Sequence, residues 1–302
     1  MIHSALGFQV KLKNPINDIC EYDYIRLRKK IEMNKITITD KQLKEYNDTG
    51  YLILRNVLDV KIIDKLLDFV FHVISLEGKS LINDKQYSKN EILNDVLIKI
   101  KQTNPSSSSW IYQTINTSYA LIEFFVNINI EDMAMQLLQI KNRNNLGTVS
   151  PSFRFDIPND TKNMRKWHQD SNYFLENEKG SEHLVAWIPI NHAYSDNGSV
   201  IIAPKTHKSG RLNSEHTKSD GFKSEQYICP DSLYKDVEER KIDANPGDIA
   251  FINMDLAHTS GTNITKNSVR YTAQIRFNTI NKKDYRPVML KPEYPTYDRL
   301  EN

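Results

Sequence analysis

The stretch SVRYTAQIRFNTI, residues 268–280, decides the fold class of this chain because apolar and polar side chains alternate in it from Val269 to Phe277. Successive side chains of a β-strand point to opposite faces of a sheet. One face of this predicted strand carries five apolar residues, and the other carries four hydrogen-bonding residues, which are Arg270, Thr272, Gln274 and Arg276. The polar face has two interpretations. It is either a solvated outer surface or the wall of a barrel interior that binds an anion.

Further short strands are predicted on the N-terminal side of this one, as far back as Val149. They are expected at residues 149–157, around His168, and from His183, Ser199 and Asp248. Turn residues separate these segments. Several short strands of this kind are typical of a β-sandwich or a jelly-roll barrel.

The residues before Val149 have the periodicity of helices instead. The capping-box pattern of Thr39 and Gln42 predicts a helix start, and Gly50 marks the end of that helix. The remaining expectations are a strand at 51–58, a helix from Asp59 to Gly78, weak helicity at 79–104, a loop at NPSSSSW (residues 104–110), and helices at 117–126 and 131–140.

One connection in the C-terminal half is unusually long. The segment from Lys205 to Pro230 is polar and rich in turn residues. Loops of this length inside a compact domain are usually functional, so we expect a lid over a binding site.

The composition excludes several functional classes. The 302 residues carry a net charge of +2, which gives no large field for binding nucleic acid or a membrane surface. The two cysteines, Cys20 and Cys229, form no disulfide framework and fit a reducing compartment. We see no signal peptide and no apolar run near the ~18 residues that cross a bilayer. We therefore expect a soluble, cytoplasmic protein whose partner is a small molecule, with its oligomeric state left open.

The segment WHQD indicates a metal site. On a strand, His168 and Asp170 would project to the same side and present an imidazole and a carboxylate together. His258 follows an apolar strand at a turn and is the candidate third ligand. Two histidines and one carboxylate leave three positions open on an octahedral ion, as in non-haem Fe(II) oxygenases. Zn²⁺ could use the same ligands, so the ligand types alone leave the metal undecided.

Spacing and flanking residues resemble the phytanoyl-CoA dioxygenase family of Fe(II)/2-oxoglutarate oxygenases from about Thr39 to Phe277. The segments that carry the resemblance are KQLKEYNDTGYLILRNVL, WHQD, HLVAWIPINHAYSDNGSVIIAPKTHKSG and PGDIAFINMDLAHTSGTNITKNSVR. It implies a mainly β fold with N-terminal helices, a double-stranded β-helix or cupin-like jelly-roll barrel. It also implies one oxygenase domain at 39–280, mostly helical to 148 and jelly-roll from 149, between an N-terminal extension (1–38) and a C-terminal tail (281–302).

The resemblance also implies roles for individual residues. The two histidines and Asp170 would hold Fe(II) as the catalytic centre, with 2-oxoglutarate and O₂ as co-substrates. Arg270, twelve residues after His258, would bind the distal carboxylate of 2-oxoglutarate with help from Ser260. A guanidinium fork matches a carboxylate, which agrees with that role. Arg154, on a strand expected to lie beside the metal motif, is a further cofactor-binding candidate.

The implied reaction is oxidation of an unactivated C–H bond of a small metabolite, most simply hydroxylation, coupled to decarboxylation of 2-oxoglutarate to succinate and CO₂. Oxidative cyclisation or desaturation of an amino-acid-derived metabolite in biosynthesis is an alternative with the same cofactors. An alternative of another class is a non-catalytic or Zn-binding cupin-like protein. Asp170 argues against halogenation, because halogenating relatives have a small residue at that position. Arg154 and Arg276 hint at an anionic or amino-acid-like substrate.

Overall fold

The computed structural model describes residues 36–82, 86–161, 164–174, 183–217 and 226–280. The chain divides into two compact units, Met1–Thr37 and Ile38–Asn302. The predicted N-terminal extension lies almost wholly outside the described residues, and the predicted tail at 281–302 lies wholly outside them. The predicted division into an extension, one oxygenase domain and a tail therefore stays a prediction.

Helices dominate the described chain up to residue 137. They are α1 (Asp40–Thr49), α2 (Val60–Glu77), α3 (Lys79–Ile82), α4 (Lys89–Glu91), α5 (Leu97–Thr103), α6 (Pro105–Asn116), α7 (Tyr119–Asn127) and α8 (Ile130–Leu137). A π-helical segment, Ile92–Val96, joins α4 to α5. As predicted, α1 begins at a complete capping box of Thr39 and Gln42 and ends at Gly50, whose φ of 84° is left-handed. None of the described helices combines the length and the apolar character needed to cross a membrane.

The predicted loop at residues 104–110 is wrong, because this stretch begins α6. The Asn104 side chain caps the helix by accepting the Ser107 backbone N–H, and Pro105 occupies the first turn. Asparagine is a favoured N-cap, and proline is tolerated where the helix leaves its N–H groups unpaired. Ile111 and Ile115 then bury one face of the helix completely. The residues that indicated a loop are therefore a helix start.

The first strand lies in the N-terminal half of the chain, and all the other described strands lie in the C-terminal half. The strands are β1 (Tyr51–Leu54), β2 (Leu146–Asp156), β3 (His183–Pro189), β4 (Val200–Ile202), β5 (Glu215–Thr217), β6 (Gln226–Ile228), β7 (Arg240–Lys241), β8 (Ile249–Asn253), β9 (His258–Ser260) and β10 (Arg270–Thr279). Sheets of five, three and two strands have the orders β1-β8-β3-β10-β2, β7-β4-β9 and β5-β6. All neighbouring strands in these sheets are antiparallel.

The five-stranded and three-stranded sheets face each other across an apolar core. Val185 and Trp187 of β3 and Ile252 of β8 belong to the same buried cluster as Val200 and Ile202 of β4. Two antiparallel sheets packed in this way, with a helical layer contributed by the preceding residues, agree with the predicted jelly roll.

Strand β10 is buried along nearly its whole length, which decides between the two interpretations of its polar face. Its apolar face packs against the helical layer, where the Tyr271 hydroxyl donates to the carbonyl of Leu93. Its polar face lines a cavity between the sheets, to which Arg270, Thr272 and Arg276 contribute. The interpretation as a solvated outer surface is therefore wrong, and the interior wall is confirmed.

The long connection from 205 to 230 contains regular structure. It begins with a 3₁₀ turn at Thr206–Ser209 and continues into the β5–β6 hairpin. Residues 218–225, which come between β5 and β6 in the sequence, lie outside the described residues. Its motion as a lid therefore stays a prediction.

Candidate active site

His168, Asp170 and His258 converge, although not on the strand that the sequence predicted. His168 forms a single antiparallel bridge with His258, and each backbone N–H donates to the other's carbonyl, at 2.9 and 3.0 Å. Asp170 lies in the turn before a short helix, α9 (Ser171–Phe174). The predicted strand around His168 is therefore wrong, because one bridge and a turn replace it. The ligand atoms of the three residues still lie within 4.8 Å of one another, and all three side chains are buried.

The second nitrogen of each imidazole fixes which nitrogen can bind a metal. His168 Nδ1 lies 2.6 Å from the Lys166 carbonyl, and His258 Nδ1 lies 2.9 Å from the Leu256 carbonyl. A carbonyl only accepts, so each Nδ1 carries the proton and each Nε2 keeps a lone pair. The two Nε2 atoms lie 3.4 and 3.7 Å from Asp170 Oδ1. Two lone pairs and one carboxylate oxygen that face one another fit a divalent transition metal.

Arg276 holds the other oxygen of Asp170. Its Nε donates to Asp170 Oδ2 at 2.8 Å, and its Nη1 donates to the Ser150 carbonyl at 3.3 Å. That carbonyl belongs to an irregularity in β2, where Ser150 has a φ of 50° and the register with β10 shifts. Burial raises the pKa of Asp170, but Arg276 and the two histidines together hold it well below its usual value. The side chain that the sequence suggested for an anionic substrate is thus paired with a candidate metal ligand.

Asp156, to which the sequence reasoning assigned no role, lies between Arg154 and Arg270. Arg270 Nη2 donates to Asp156 Oδ2 at 2.9 Å, and Arg154 Nη2 donates to Oδ1 at 3.1 Å. Burial raises the pKa of Asp156, but Arg270 and Arg154 hold it below its usual value. Two guanidinium groups that share one carboxylate leave one net positive charge in this cluster. That charge suits one further carboxylate.

A cavity of about 180 Å³ joins the metal group to these arginines, because all three candidate ligands, Arg154 and Arg270 line it. Ser260 also lines it, and its Oγ accepts the Arg165 backbone N–H at 3.2 Å, so its own proton can be donated to a ligand. Trp187 packs in the apolar core and also lines the cavity. The predicted site residues are therefore brought together around one cavity.

Gln169, between the two ligands of the WHQD motif, is a further residue that the sequence reasoning missed. Its Nε2 donates to the carbonyls of Gly210 and Asp255 at 2.8 and 2.6 Å, and its Oε1 accepts the Leu212 backbone N–H at 2.9 Å. The side chain is completely buried. Gln169 therefore links the 205–230 connection to the metal motif by hydrogen bonds. No local pattern in the sequence predicts these partners, because Gly210 and Leu212 lie about 40 residues away.

A model of the phytanoyl-CoA dioxygenase family matches residues 46–271. The chain belongs to this family. The resemblance found in the sequence is thereby confirmed, over a range that includes all three candidate metal ligands, Ser260 and Arg270.

Curated phytanoyl-CoA dioxygenases are similar to this chain at low identity. The peroxisomal phytanoyl-CoA dioxygenase of Homo sapiens is 24% identical over 240 residues, which cover 76% of this chain and 65% of that protein. The Bos taurus protein of the same name is 22% identical over 228 residues, which cover 74% and 63%. The chain thus spans just under two thirds of the length of these relatives.

A solved structure supports the fold. EvdO2 from Micromonospora carbonacea var. aurantiaca, complexed with 2-oxoglutarate, has a TM-score of 0.51 and 14% identity to this chain. The match covers 87% of this chain and 97% of that one. The predicted mainly β jelly-roll fold with N-terminal helices is confirmed by this likeness.

Proposed function

We propose that the chain is an Fe(II)/2-oxoglutarate-dependent dioxygenase that oxidises an unactivated C–H bond of a small metabolite, most simply by hydroxylation. The observation that carries this proposal is the buried group of His168, Asp170 and His258, whose metal-binding atoms face one another in a cavity that Arg270 also lines. Membership of a family named for a dioxygenase supports it.

The chain's own residues bind and orient the reactants. The two histidines and Asp170 would hold Fe(II), which together with 2-oxoglutarate and O₂ would supply the oxidising power for C–H cleavage. Arg270 and Arg154 bind the distal carboxylate of 2-oxoglutarate, and Asp156 keeps their guanidinium groups side by side. The hydroxyl of Ser260 donates a hydrogen bond to the same co-substrate.

Arg276 is a positioning residue in this proposal. By holding Asp170 Oδ2 at 2.8 Å, it directs Oδ1 toward the two histidine Nε2 atoms. The carboxylate is then presented to the metal through one oxygen. A metal ion held there would keep positions open for the co-substrates.

We also propose a cytoplasmic location. The thiol of Cys229 is buried and not in a disulfide, which is typical of a reducing compartment.

Fe(II)-loaded protein supplied with 2-oxoglutarate, O₂ and a metabolite extract tests the reaction. We expect succinate to form in proportion to the O₂ consumed, and a product one oxygen atom heavier than its substrate. A product two hydrogens lighter would assign cyclisation or desaturation, which use the same residues. If succinate formation is independent of Fe(II), or equal with Zn²⁺ in its place, the dioxygenase proposal is wrong.

A further inference from the structure

Thr272 lies on the polar face of β10, between Arg270 and Arg276, and lines the cavity that contains the metal group. Its side chain is completely buried, and among the described residues its Oγ1 has no hydrogen-bond partner. Most buried hydroxyls in proteins are hydrogen-bonded, because burying a hydroxyl without a partner is unfavourable. An unpaired hydroxyl in the wall of a cavity therefore indicates a ligand that pairs with it.

The register of β10 and β2 places Thr272 beside the arginine cluster. Arg270 lies opposite Asp156, and Thr272 lies opposite Arg154. Directly opposite side chains share one face of the sheet, with their Cβ atoms about 4.5 to 5.5 Å apart. The four side chains thus form a square on the cavity face. Asp156 accepts a hydrogen bond from each arginine, whereas the hydroxyl at the fourth corner bonds to none of the other three.

The neighbours of this hydroxyl decide what kind of ligand atom can meet it. A threonine hydroxyl can donate or accept, but a guanidinium group has only N–H donors. A ligand atom that contacts both Thr272 and Arg270 must therefore be an acceptor. Side chains at positions i and i+2 of a strand rise from Cα atoms roughly 7 Å apart, so the two oxygens of one carboxylate can reach both donors.

We propose that Thr272 is a binding residue for the co-substrate, and that its hydroxyl donates a hydrogen bond to the distal carboxylate of 2-oxoglutarate beside Arg270. This inference rests on the proposed function, which assigns that carboxylate to Arg270. Ser260 belongs to β9 of the three-stranded sheet, whereas Thr272 belongs to the five-stranded sheet. The two hydroxyls then contact the carboxylate from opposite walls of the cavity.

Stability without the co-substrate separates a binding hydroxyl from a structural one. Thr272→Val replaces the hydroxyl with a methyl group of similar size. We expect the urea midpoint of the ligand-free protein to be unchanged or higher, because no hydrogen bond between described residues is lost. Thr272→Ser keeps the hydroxyl and loses a buried methyl group, so its midpoint should fall.

The affinity for 2-oxoglutarate should follow the opposite order. Isothermal titration calorimetry of the Fe(II)-loaded protein under argon measures this affinity. Thr272→Val should bind 2-oxoglutarate about 10-fold or more weakly, because a hydrogen bond to a charged group is lost, and Thr272→Ser should bind it nearly as the wild type does. Thr279→Val is the matched control. The hydroxyl of Thr279 is on the same strand and also lacks a partner among the described residues, but Thr279 does not line the cavity. This control should keep the wild-type affinity.

Pyruvate tests which end of the co-substrate the hydroxyl contacts, because it is a 2-oxo acid without a distal carboxylate. Paramagnetic broadening of its methyl NMR signal by the Fe(II)-loaded protein reports its binding. Titrations of wild-type and Thr272→Val protein should give the same pyruvate affinity. Equal 2-oxoglutarate affinities in these two proteins, or an equal loss of pyruvate and 2-oxoglutarate affinity in the variant, would overturn the proposal. If Thr272→Val does not fold, Thr272→Ala removes the same hydroxyl and is compared with Thr279→Ala.

These titrations require no turnover, so the two proposals can fail separately. Wild-type protein that binds no 2-oxoglutarate would overturn both. Weaker 2-oxoglutarate binding in Thr272→Val, in a protein whose wild type makes no succinate, would contradict the oxygenase reaction and support the role of Thr272. Normal Fe(II)-dependent succinate formation with equal 2-oxoglutarate affinities would contradict the role of Thr272 alone.

Discussion

Arg276 allows the metal assignment to be tested through stability. Its Nε lies 2.8 Å from Asp170 Oδ2, and the two side chains are 6% and 4% exposed. The substitution Arg276→Met keeps most of the side-chain length but leaves the Asp170 carboxylate buried without its cationic partner. Breaking a buried ion pair by removing one partner costs ~3 to 5 kcal/mol. We expect the variant to lower the free energy of unfolding of the metal-free protein by about that amount.

Bound Fe(II) should reduce this loss. Hydrogen-bonding partners of metal ligands usually raise metal affinity, because they are carboxylates or carbonyls that increase the basicity of the ligand. Arg276 is a cation, so it withdraws negative charge from Asp170 and repels the metal ion. In Arg276→Met protein the ion becomes the cationic partner of Asp170 and can contact both carboxylate oxygens, because the positioning role of Arg276 is to restrict Asp170 to one oxygen and not to raise metal affinity. We expect Fe(II) to bind the variant at least ~10-fold more tightly, which makes the loss at least ~1.4 kcal/mol smaller with Fe(II) than without it.

Urea denaturation under argon, with and without saturating Fe(II), measures both losses. Gln274→Met is the matched control, because Gln274 shares the polar face of β10 and contributes no metal ligand. It should lose the same amount in both conditions. Arg276→Lys should recover part of the stability, since it keeps the charge without the guanidinium fork. If Arg276→Met lowers the free energy of unfolding equally with and without Fe(II), or more with Fe(II), the argument that Arg276 acts through a metal-binding Asp170 is refuted.

Substitutions at three further residues test the rest of the site. Arg270→Ala should raise the apparent constant for 2-oxoglutarate in succinate formation by ~30-fold or more, because losing a buried charged partner costs ~2 to 5 kcal/mol, and Arg270→Lys should recover only part of this. Asp156→Asn should lower the stability of the protein when 2-oxoglutarate is absent. It should also lower the apparent constant for 2-oxoglutarate, because a carboxylate that competes for Arg154 and Arg270 is removed; a higher constant would contradict this competition. Gln169→Leu should speed limited proteolysis within 205–230, and unchanged cutting would mean that Gln169 does not anchor the segment.

Local patterns in the sequence predicted most of the elements correctly. Alternation located β2 and β10, and the capping box located the start of α1. Helix α6 was missed because Asn104 and Pro105 begin a turn and a helix equally well. The burial of Ile111 and Ile115 against the rest of the protein decides for the helix, and that packing is not visible in the segment itself.

The structure brings the predicted site residues together, but the register of the strands decides which side chains form ion pairs with one another. Arg270 faces Asp156 because β10 pairs with β2 in a register that joins residues 114 positions apart. Neither strand alone specifies that register. The sequence assigned different roles to Arg270 and Arg276, and their guanidinium groups contact different carboxylates. It could not show that the second carboxylate is Asp170, because Asp170 lies in a turn whose direction is set by the His168–His258 bridge.

Anaerobic equilibrium dialysis with Fe(II) tests the metal assignment most directly. The wild-type protein should bind one Fe(II) per chain, and Asp170→Ala and His258→Ala should each bind it far more weakly. His207→Gln is the matched control, because His207 lies outside the metal group, with its Nε2 3.1 Å from the Asn47 carbonyl. It should still bind one ion. Undiminished Fe(II) binding in Asp170→Ala, or a loss in His207→Gln equal to that in His258→Ala, would contradict the proposed metal centre.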